Sequence, residues 1–184
     1  MAYSIASALV FLPGLRLDTL TLYGYDVFLT GKEVLDALTR EGSGWRVLRY
    51  ITRQCKHLGS TREHAENGKM VQVWTGPKEW RGVLEARDGK ASGSSVVVYR
   101  AKDDHPYEHK DDQVFDPSTR TRFDNEVPIE GAKDKEVLIV VTRGKGVDYE
   151  VRADEPLLAN DIRRDFPGET FSEIRKKYID TDFY

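Results

Sequence analysis

The sequence predicts an α+β fold in which a mostly antiparallel sheet packs with four or five helices. Glu136–Thr142 (EVLIVVT) is an apolar run of strand length, and Ser95–Tyr99 is a second, valine-rich strand. Tyr149–Ala153 follows a glycine-containing turn and is predicted to return beside the first of these strands. Other segments have the periodicity of amphipathic helices, so we expect sheet and helices to share one core.

Composition and charge limit the class of protein. A chain with 39% hydrophobic and 32% charged residues is ordinary for a globular protein. The longest apolar run, residues 5–13, is too short to span a bilayer, and the first residues lack the positive charge of a secretory signal. The single cysteine, Cys55, excludes an internal disulfide and fits a reducing compartment. We therefore expect a cytoplasmic protein with no membrane partner.

The first third of the chain contains a strand and the start of a helix. Residues 3–11 are predicted to be either a buried strand or a helix, because the run is too short to decide. Residues 15–21 alternate as a strand does, and Gly24, which lies between them and residues 25–29, predicts a hairpin or a bulge. Thr30 and Glu33 have the spacing of a capping box, which predicts a helix with Val34, Leu35 and Leu38 on its buried face.

Residues 43–59 (SGWRVLRYITRQCKHLG) have the pattern of a second, strongly two-faced helix. At 100° per residue, an apolar stripe separates from a cationic row. The stripe comprises Val47, Leu48, Ile51, Cys55 and Leu58. The cationic row comprises Arg46, Arg49, Arg53, Lys56 and His57. A helix of this kind could lie along phosphates, and the alternative is that the row is an ordinary solvated surface.

A hairpin is predicted directly after this helix. Residues 60–65 and 70–74 flank Asn67-Gly68, which is a preferred pair for a tight turn. The order of helix, short turn, basic helix and hairpin resembles a winged helix-turn-helix over about residues 30–75. The resemblance implies nucleic-acid contacts by the cationic row, by Arg62 and Lys69 of the wing, and by Trp45 and Tyr50 stacking on bases.

The second half of the chain differs in charge. Residues 1–100 hold 14 Lys and Arg against 10 Asp and Glu, whereas residues 101–184 hold 14 against 21. Helices are predicted from Pro77, with Trp80, Val83 and Leu84 on the inner face, and over residues 155–165 and 170–179. We expect one domain over 1–184, with a possible division into a basic part, 1–76, and an acidic part, 77–184. The acidic half could cover the arginines of the basic half.

Two weaker patterns concern enzymatic chemistry. His105, His109 and Asp111 are candidate metal ligands by residue type, although a solvated acidic loop is the favoured interpretation. Residues 96–101 (VVVYRA) and 149–154 (YEVRAD) resemble short strand motifs of the bacterial ADP-ribosylating toxins of the cholera and pertussis type, which implies that Arg100 contacts NAD. No phosphate-cradling glycine loop or nucleophile elbow is present, so we favour a protein that is not an enzyme and expect no cofactor.

The leading functional hypothesis is a non-enzymatic protein that binds nucleic acid or another phosphate-rich surface through the basic helix. The second is a protein–protein interaction module, such as an inhibitor, immunity or phage accessory protein, that uses the acidic C-terminal half. The third is a small NAD-using or metal-dependent enzyme. The oligomeric state is left open by the sequence.

Overall fold

The structure, a computed structural model, describes residues 5–24, 30–52, 60–64, 70–74, 76–102, 114–123, 135–154, 157 and 161–179. These ranges contain helices α1 (Ile5–Leu9), α2 (Thr30–Arg40), α3 (Gly76–Asp88) and α4 (Phe171–Ile179). They also contain strands β1 (Leu17–Gly24), β2 (Trp45–Thr52), β3 (Ser60–His64), β4 (Met70–Trp74), β5 (Ser95–Ala101), β6 (Arg120–Phe123) and β7 (Val137–Thr142). No helix among these residues is long and apolar enough to cross a membrane.

A five-stranded mixed sheet with the order β1-β2-β7-β5-β6 forms the centre of the fold. The pairs β2–β7, β5–β7 and β5–β6 are antiparallel, and β1–β2 is parallel. The parallel pair is possible because α2 lies in the connection between its strands, as a crossover helix does. The α+β class and the mostly antiparallel sheet are therefore confirmed, together with four helices.

The main core lies between one face of this sheet and helices α1, α2 and α3. Leu48 of β2 is aligned with Leu20 of β1 and Val141 of β7, and Val141 is aligned with Val96 of β5. Leu48 and Val141 are fully buried. The helices contribute Ala6, Leu9, Leu35, Leu38, Trp80 and Leu84 to the same cluster. Leu35 and Leu38 were predicted for this role in α2, as was Trp80 in α3.

The opposite face of the sheet is buried mainly at one end. Val114 packs there against Ile51, Ala101 and Leu138. In the neighbouring row Arg49 of β2 is aligned with Val140 of β7, and Arg49 is exposed. One face of the sheet thus carries the helices, while part of the other is open to solvent, as is common for antiparallel sheets.

The prediction of a helix over residues 43–59 is wrong for residues 45–52, which form the interior strand β2. Five of its eight residues are aromatic or β-branched, which favours a strand, and the strand is paired on both sides. Both of its faces bury apolar side chains, so the alternation that marks a strand is missing from the sequence. Residues 53–59 lie outside the described ranges. Helix α2 and the hairpin β3–β4 form as predicted, but the winged-helix-like arrangement is not confirmed.

Two further predictions in the C-terminal half differ from the structure. Residues 149–153 form no strand; their backbone is instead hydrogen-bonded to residues 14–15 and to Gly44. Of residues 155–165 the structure describes 157 and 161–165, where a short 3₁₀ turn, Ile162–Arg164, replaces the predicted α-helix. The Asp161 side chain accepts a hydrogen bond from the Arg163 amide and so caps this turn. The predicted helix at residues 170–179 is confirmed as α4.

Candidate functional site

The strand conformation separates the cations that a helix would have placed in one row. Successive side chains of a strand point to opposite faces, so Arg46 and Arg49, three residues apart, lie on opposite sides of the sheet. Both are exposed. Arg46 pairs with Asp18 of β1, whereas Arg49 forms no ion pair with any described residue. The prediction that Arg46 and Arg49 lie side by side on one surface is therefore wrong.

The two aromatic residues predicted to stack on bases are buried. Trp45 is 0% exposed and Tyr50 is 6% exposed, and both belong to the main core. Burial raises the pKa of the Tyr50 hydroxyl, because the charged form loses its hydration. A Cβ at Gly24 would collide with this hydroxyl, so the aromatic side chain fills the space beside β1. Neither ring can reach a ligand on the protein surface.

Most of the other predicted site residues cannot be placed. Arg62 lies in β3. The residues outside the described ranges are Arg53, Lys56, His57, Lys69, His105, His109 and Asp111. Within the described ranges, no group of three or more His, Cys, Asp and Glu residues is positioned to hold a metal ion. Arg100, which the toxin resemblance implies as an NAD contact, lies in β5 with its guanidinium carbon 5.6 Å from the ring centroid of Phe123.

A surface groove of about 550 Å³ forms where three segments meet. These segments are the residue directly before β1, the start of β2, and the chain that follows β7. Three arginine side chains and one tyrosine dominate its lining. The lining residues are Arg16, Arg46, Gly146, Val147, Asp148, Tyr149, Glu150 and Arg152. Arg46, one of the predicted binding residues, is thus brought together with two arginines that are distant in sequence.

Backbone hydrogen bonds hold the three segments of the groove together. The Gly44 amide donates to the Tyr149 carbonyl at 2.5 Å, and the Gly14 amide donates to the Val151 carbonyl at 2.9 Å. The Val151 amide returns a bond to the Leu15 carbonyl at 3.2 Å, and the Val151 side chain is buried. Burial of Val151 leaves its neighbours in the chain at the surface, where they line the groove.

Each arginine of the groove is paired with a carboxylate. Arg16 Nη1 lies 3.1 Å from Glu150 Oε2, Arg46 Nη2 lies 3.3 Å from Asp18 Oδ1, and Arg152 Nη2 lies 2.8 Å from Asp148 Oδ2. The three arginine side chains are 54%, 56% and 66% exposed, in the same order. Such exposed pairs are weak and exchange readily with other partners. They hold the guanidinium groups in place without burying them.

Hydrogen bonding changes the ionisation of several of these groups. The bond to Glu150 is the main cause that raises the pKa of Arg16. The bond from Arg152 is the main cause that lowers the pKa of Asp148, followed by the bond from the Glu150 amide. The pKa of Arg152 is raised in return by the bond to Asp148. At neutral pH the groove therefore holds fixed opposite charges.

The groove combines cations with an aromatic ring. The guanidinium carbon of Arg16 lies 5.1 Å from the ring centroid of Tyr149, within the range of a cation–π contact. Guanidinium groups bind phosphate or carboxylate oxygens through paired N–H donors, and a tyrosine ring can stack on a planar group. The arrangement is suited to binding an anion, and Tyr149 adds a contact for a flat group beside it.

Sequence reasoning missed Arg16, Tyr149 and Arg152 as site residues. Their proximity depends on hydrogen bonds between residues 14–15, 44 and 149–151, which no local pattern predicts. The available signal was the alternation after Gly146, where Asp148, Glu150 and Arg152 are polar and Val151 is apolar. That alternation correctly indicates an extended segment with one buried side chain. It does not indicate which other segment lies beside it.

Comparison of the chain with protein-family models, with curated proteins and with solved structures finds no match.

Proposed function

We propose that this chain is a non-enzymatic, cytoplasmic binding protein that contacts nucleic acid or another phosphate-rich surface through the arginine-lined groove. The observation that carries the proposal is the convergence of Arg16, Arg46 and Arg152, each more than half exposed, in one concavity beside Tyr149. The proposed cytoplasmic location rests on the single cysteine, which fits a reducing compartment.

Phosphate suits the groove better than a carboxylate ligand does. The oxygens of a phosphodiester surround phosphorus tetrahedrally, whereas those of a carboxylate lie in one plane, so guanidinium groups can donate to a phosphate from more than one direction. The groove volume lies within the range of about 300–1,000 Å³ that is typical of small-ligand sites. A nucleotide unit supplies both the phosphate and a planar base for Tyr149.

The carboxylates of the groove limit the strength of this binding. Asp18, Asp148 and Glu150 neutralise the arginines, so a polyanion gains little attraction at long range. Binding requires that each guanidinium exchange a weak, exposed carboxylate for a phosphate. We therefore expect moderate affinity and a shallow salt dependence, with a slope of about two for three phosphate contacts to a single strand.

The test is the binding of a fluorescently labelled single-stranded oligonucleotide, measured by anisotropy at several salt concentrations. The variant Arg16→Ala/Arg46→Ala/Arg152→Ala is expected to lose about ten-fold or more in affinity and most of the salt slope. Arg49→Ala is the matched control, because Arg49 is also exposed but lies on the other face of the sheet. Equal affinities for the triple variant and the native chain would refute the proposal.

A protein partner is a second candidate, favoured by the mixed charge of the same groove. Arginine and tyrosine are the residues that most often dominate protein interfaces, and here they stand beside Asp148 and Glu150. Binding of a protein ligand should weaken when the charge of either the arginines or the carboxylates of the groove is reversed. In the anisotropy assay, an Asp148→Lys/Glu150→Lys variant should bind the oligonucleotide more tightly, whereas a mixed-charge protein partner captured by the native chain should be lost.

A further inference from the structure

A buried ion pair lies behind one wall of the groove. Asp88, the last residue of α3, and Arg143, directly after β7, have side chains that are 0% and 3% exposed. Arg143 Nε lies 3.0 and 2.9 Å from the two carboxylate oxygens, and Nη2 lies 2.8 Å from Oδ1. This bidentate geometry fixes the orientation of both the guanidinium and the carboxylate group.

The same carboxylate holds the backbone that leads into the groove. The Gly144 amide donates to Asp88 Oδ2 at 3.1 Å. The neighbouring amides of Arg143 and Lys145 donate to the carbonyls of Arg46 and Ser92 at 3.0 and 2.8 Å. Residues 143–145 are thus attached to α3, to β2 and to the 3₁₀ turn Lys90–Ser92, immediately before the groove wall begins at Gly146.

Close packing leaves these residues little freedom to move. A Cβ at Gly144 would collide with both Cβ and Oγ of Ser92. The Arg143 guanidinium also lies 5.5 Å from the ring centroid of Trp45, which precedes Arg46 of the groove. Removing two charges from water costs about as much as their attraction returns, so burial of the pair is weak evidence for a gain in stability and favours a role in geometry.

We propose that Asp88 and Arg143 are positioning residues for the groove. By fixing residues 143–145, they set the place of the wall that carries Tyr149 and Arg152 opposite Arg16 and Arg46. This inference rests on the proposed function of the groove, but its structural part holds without any ligand. Asp88 and Arg143 touch no ligand themselves, so they act through the position of the groove wall.

The first test uses Asp88→Asn, which keeps the shape of the side chain and removes its charge. Because the variant leaves the Arg143 charge buried and unpaired, it lowers global stability as well. Amide hydrogen exchange without ligand should accelerate about ten-fold more in residues 144–152 than in α2. Oligonucleotide affinity, measured well below the melting temperature, should fall by a similar factor. A merely structural role would lower the melting temperature and speed exchange throughout, with the affinity of the folded protein unchanged, and would overturn the proposal.

The second test displaces the wall without touching a charge. Gly144→Ala should have the same two effects, because the new methyl group pushes residues 143–145 away from Ser92. The double variant Ser92→Gly/Gly144→Ala removes the two nearest obstructing atoms, leaves Val147 Cγ2 at 3.1 Å, and should restore most of the native exchange rates and native affinity. If the native chain binds no oligonucleotide, the proposed function fails, while the exchange data still decide the positioning. The positioning role would be overturned if the amide exchange rates of residues 144–152 were unchanged in both Asp88→Asn and Gly144→Ala.

Discussion

Gly44 shows how a single residue shapes the groove. Its φ of +87° lies in the left-handed region, where a side chain is strained. A Cβ there would also approach Val151 Cγ2 at 2.9 Å and Leu15 Cδ2 at 3.0 Å. The absence of a side chain lets the chain after β7 lie against the start of β1, and the groove depends on that contact.

Gly44→Ala is expected to lower the free energy of unfolding by about 2–4 kcal/mol, because strain of the left-handed backbone adds to overpacking against Val151 and Leu15. Gly146→Ala is the matched control: its φ is +74°, but nothing lies within 4 Å of the added methyl group. That variant should cost only the strain, about 1–2 kcal/mol. Chemical denaturation measures both, and equal losses would mean that Gly44 is not closely packed.

The ionisation of Asp148 reports directly on the groove. Its pKa lies below the ordinary value of 3.8, chiefly because Arg152 donates to the carboxylate. A lowered pKa means that this carboxylate favours folding above its unfolded pKa, and that the contribution disappears as the pH falls through the folded pKa. The Asp148–Arg152 pair should thus be constant at neutral pH and lost only in acid.

An NMR titration of the carboxyl groups tests this assignment. Arg152→Ala should raise the pKa of Asp148 towards 3.8. The pKa of Asp116 is lowered mainly by hydrogen bonds from Ser118, so it should stay unchanged in the same variant. An Asp148 pKa that does not respond to the loss of Arg152 would contradict the ion pair.

At the scale of elements, the strand β2 determines where the cations lie. Val47, Leu48 and Ile51 recur as they would on one face of a helix, so local periodicity favoured the wrong structure. The decisive interactions are pairings with β1 and with β7, about ninety residues further along the chain. By contrast β7 was predictable from an apolar run of strand length, and the pairing of β3 with β4 was predictable from the Asn67-Gly68 pair in the sequence between them, because both signals are local.

Tyr50 distinguishes the strand from the predicted helix. In the helix it would flank the exposed cationic row, whereas in β2 it is 6% exposed within the core. Tyr50→Ala should therefore lower the free energy of unfolding by about 3–5 kcal/mol. A loss below about 0.5 kcal/mol, as for an exposed residue, would favour the helix.

At the scale of the whole molecule, the sheet joins the basic and acidic halves of the sequence. β1 and β2 come from residues 17–52, whereas β7 and the chain that completes the groove come from residues 137–152. Arg16 consequently pairs with Glu150, and Arg46 lines the same groove as Asp148 and Glu150. The sequence indicated that the acidic half could cover the arginines of the basic helix, Arg46 among them, but only the tertiary pairing defines which residues come together. The single-domain organisation over 1–184 stays a prediction.

The groove could be predicted only in part for the same reason. Arg46 stood out because it lies in a long stretch without acidic residues. Arg16 and Arg152 stand alone in their own segments, and each looks like an ordinary surface charge. Their joint role arises from backbone bonds between segments more than a hundred residues apart, which the amino-acid pattern does not encode locally.

The most direct test compares Arg46→Ala with Arg49→Ala in their affinity for a single-stranded oligonucleotide across a range of salt concentrations. The groove predicts that loss of Arg46 weakens binding and reduces the salt slope by about 0.7, while loss of Arg49 changes neither. Equal weakening by both variants would mean that the two arginines share one binding surface. That result would contradict the groove as the binding site.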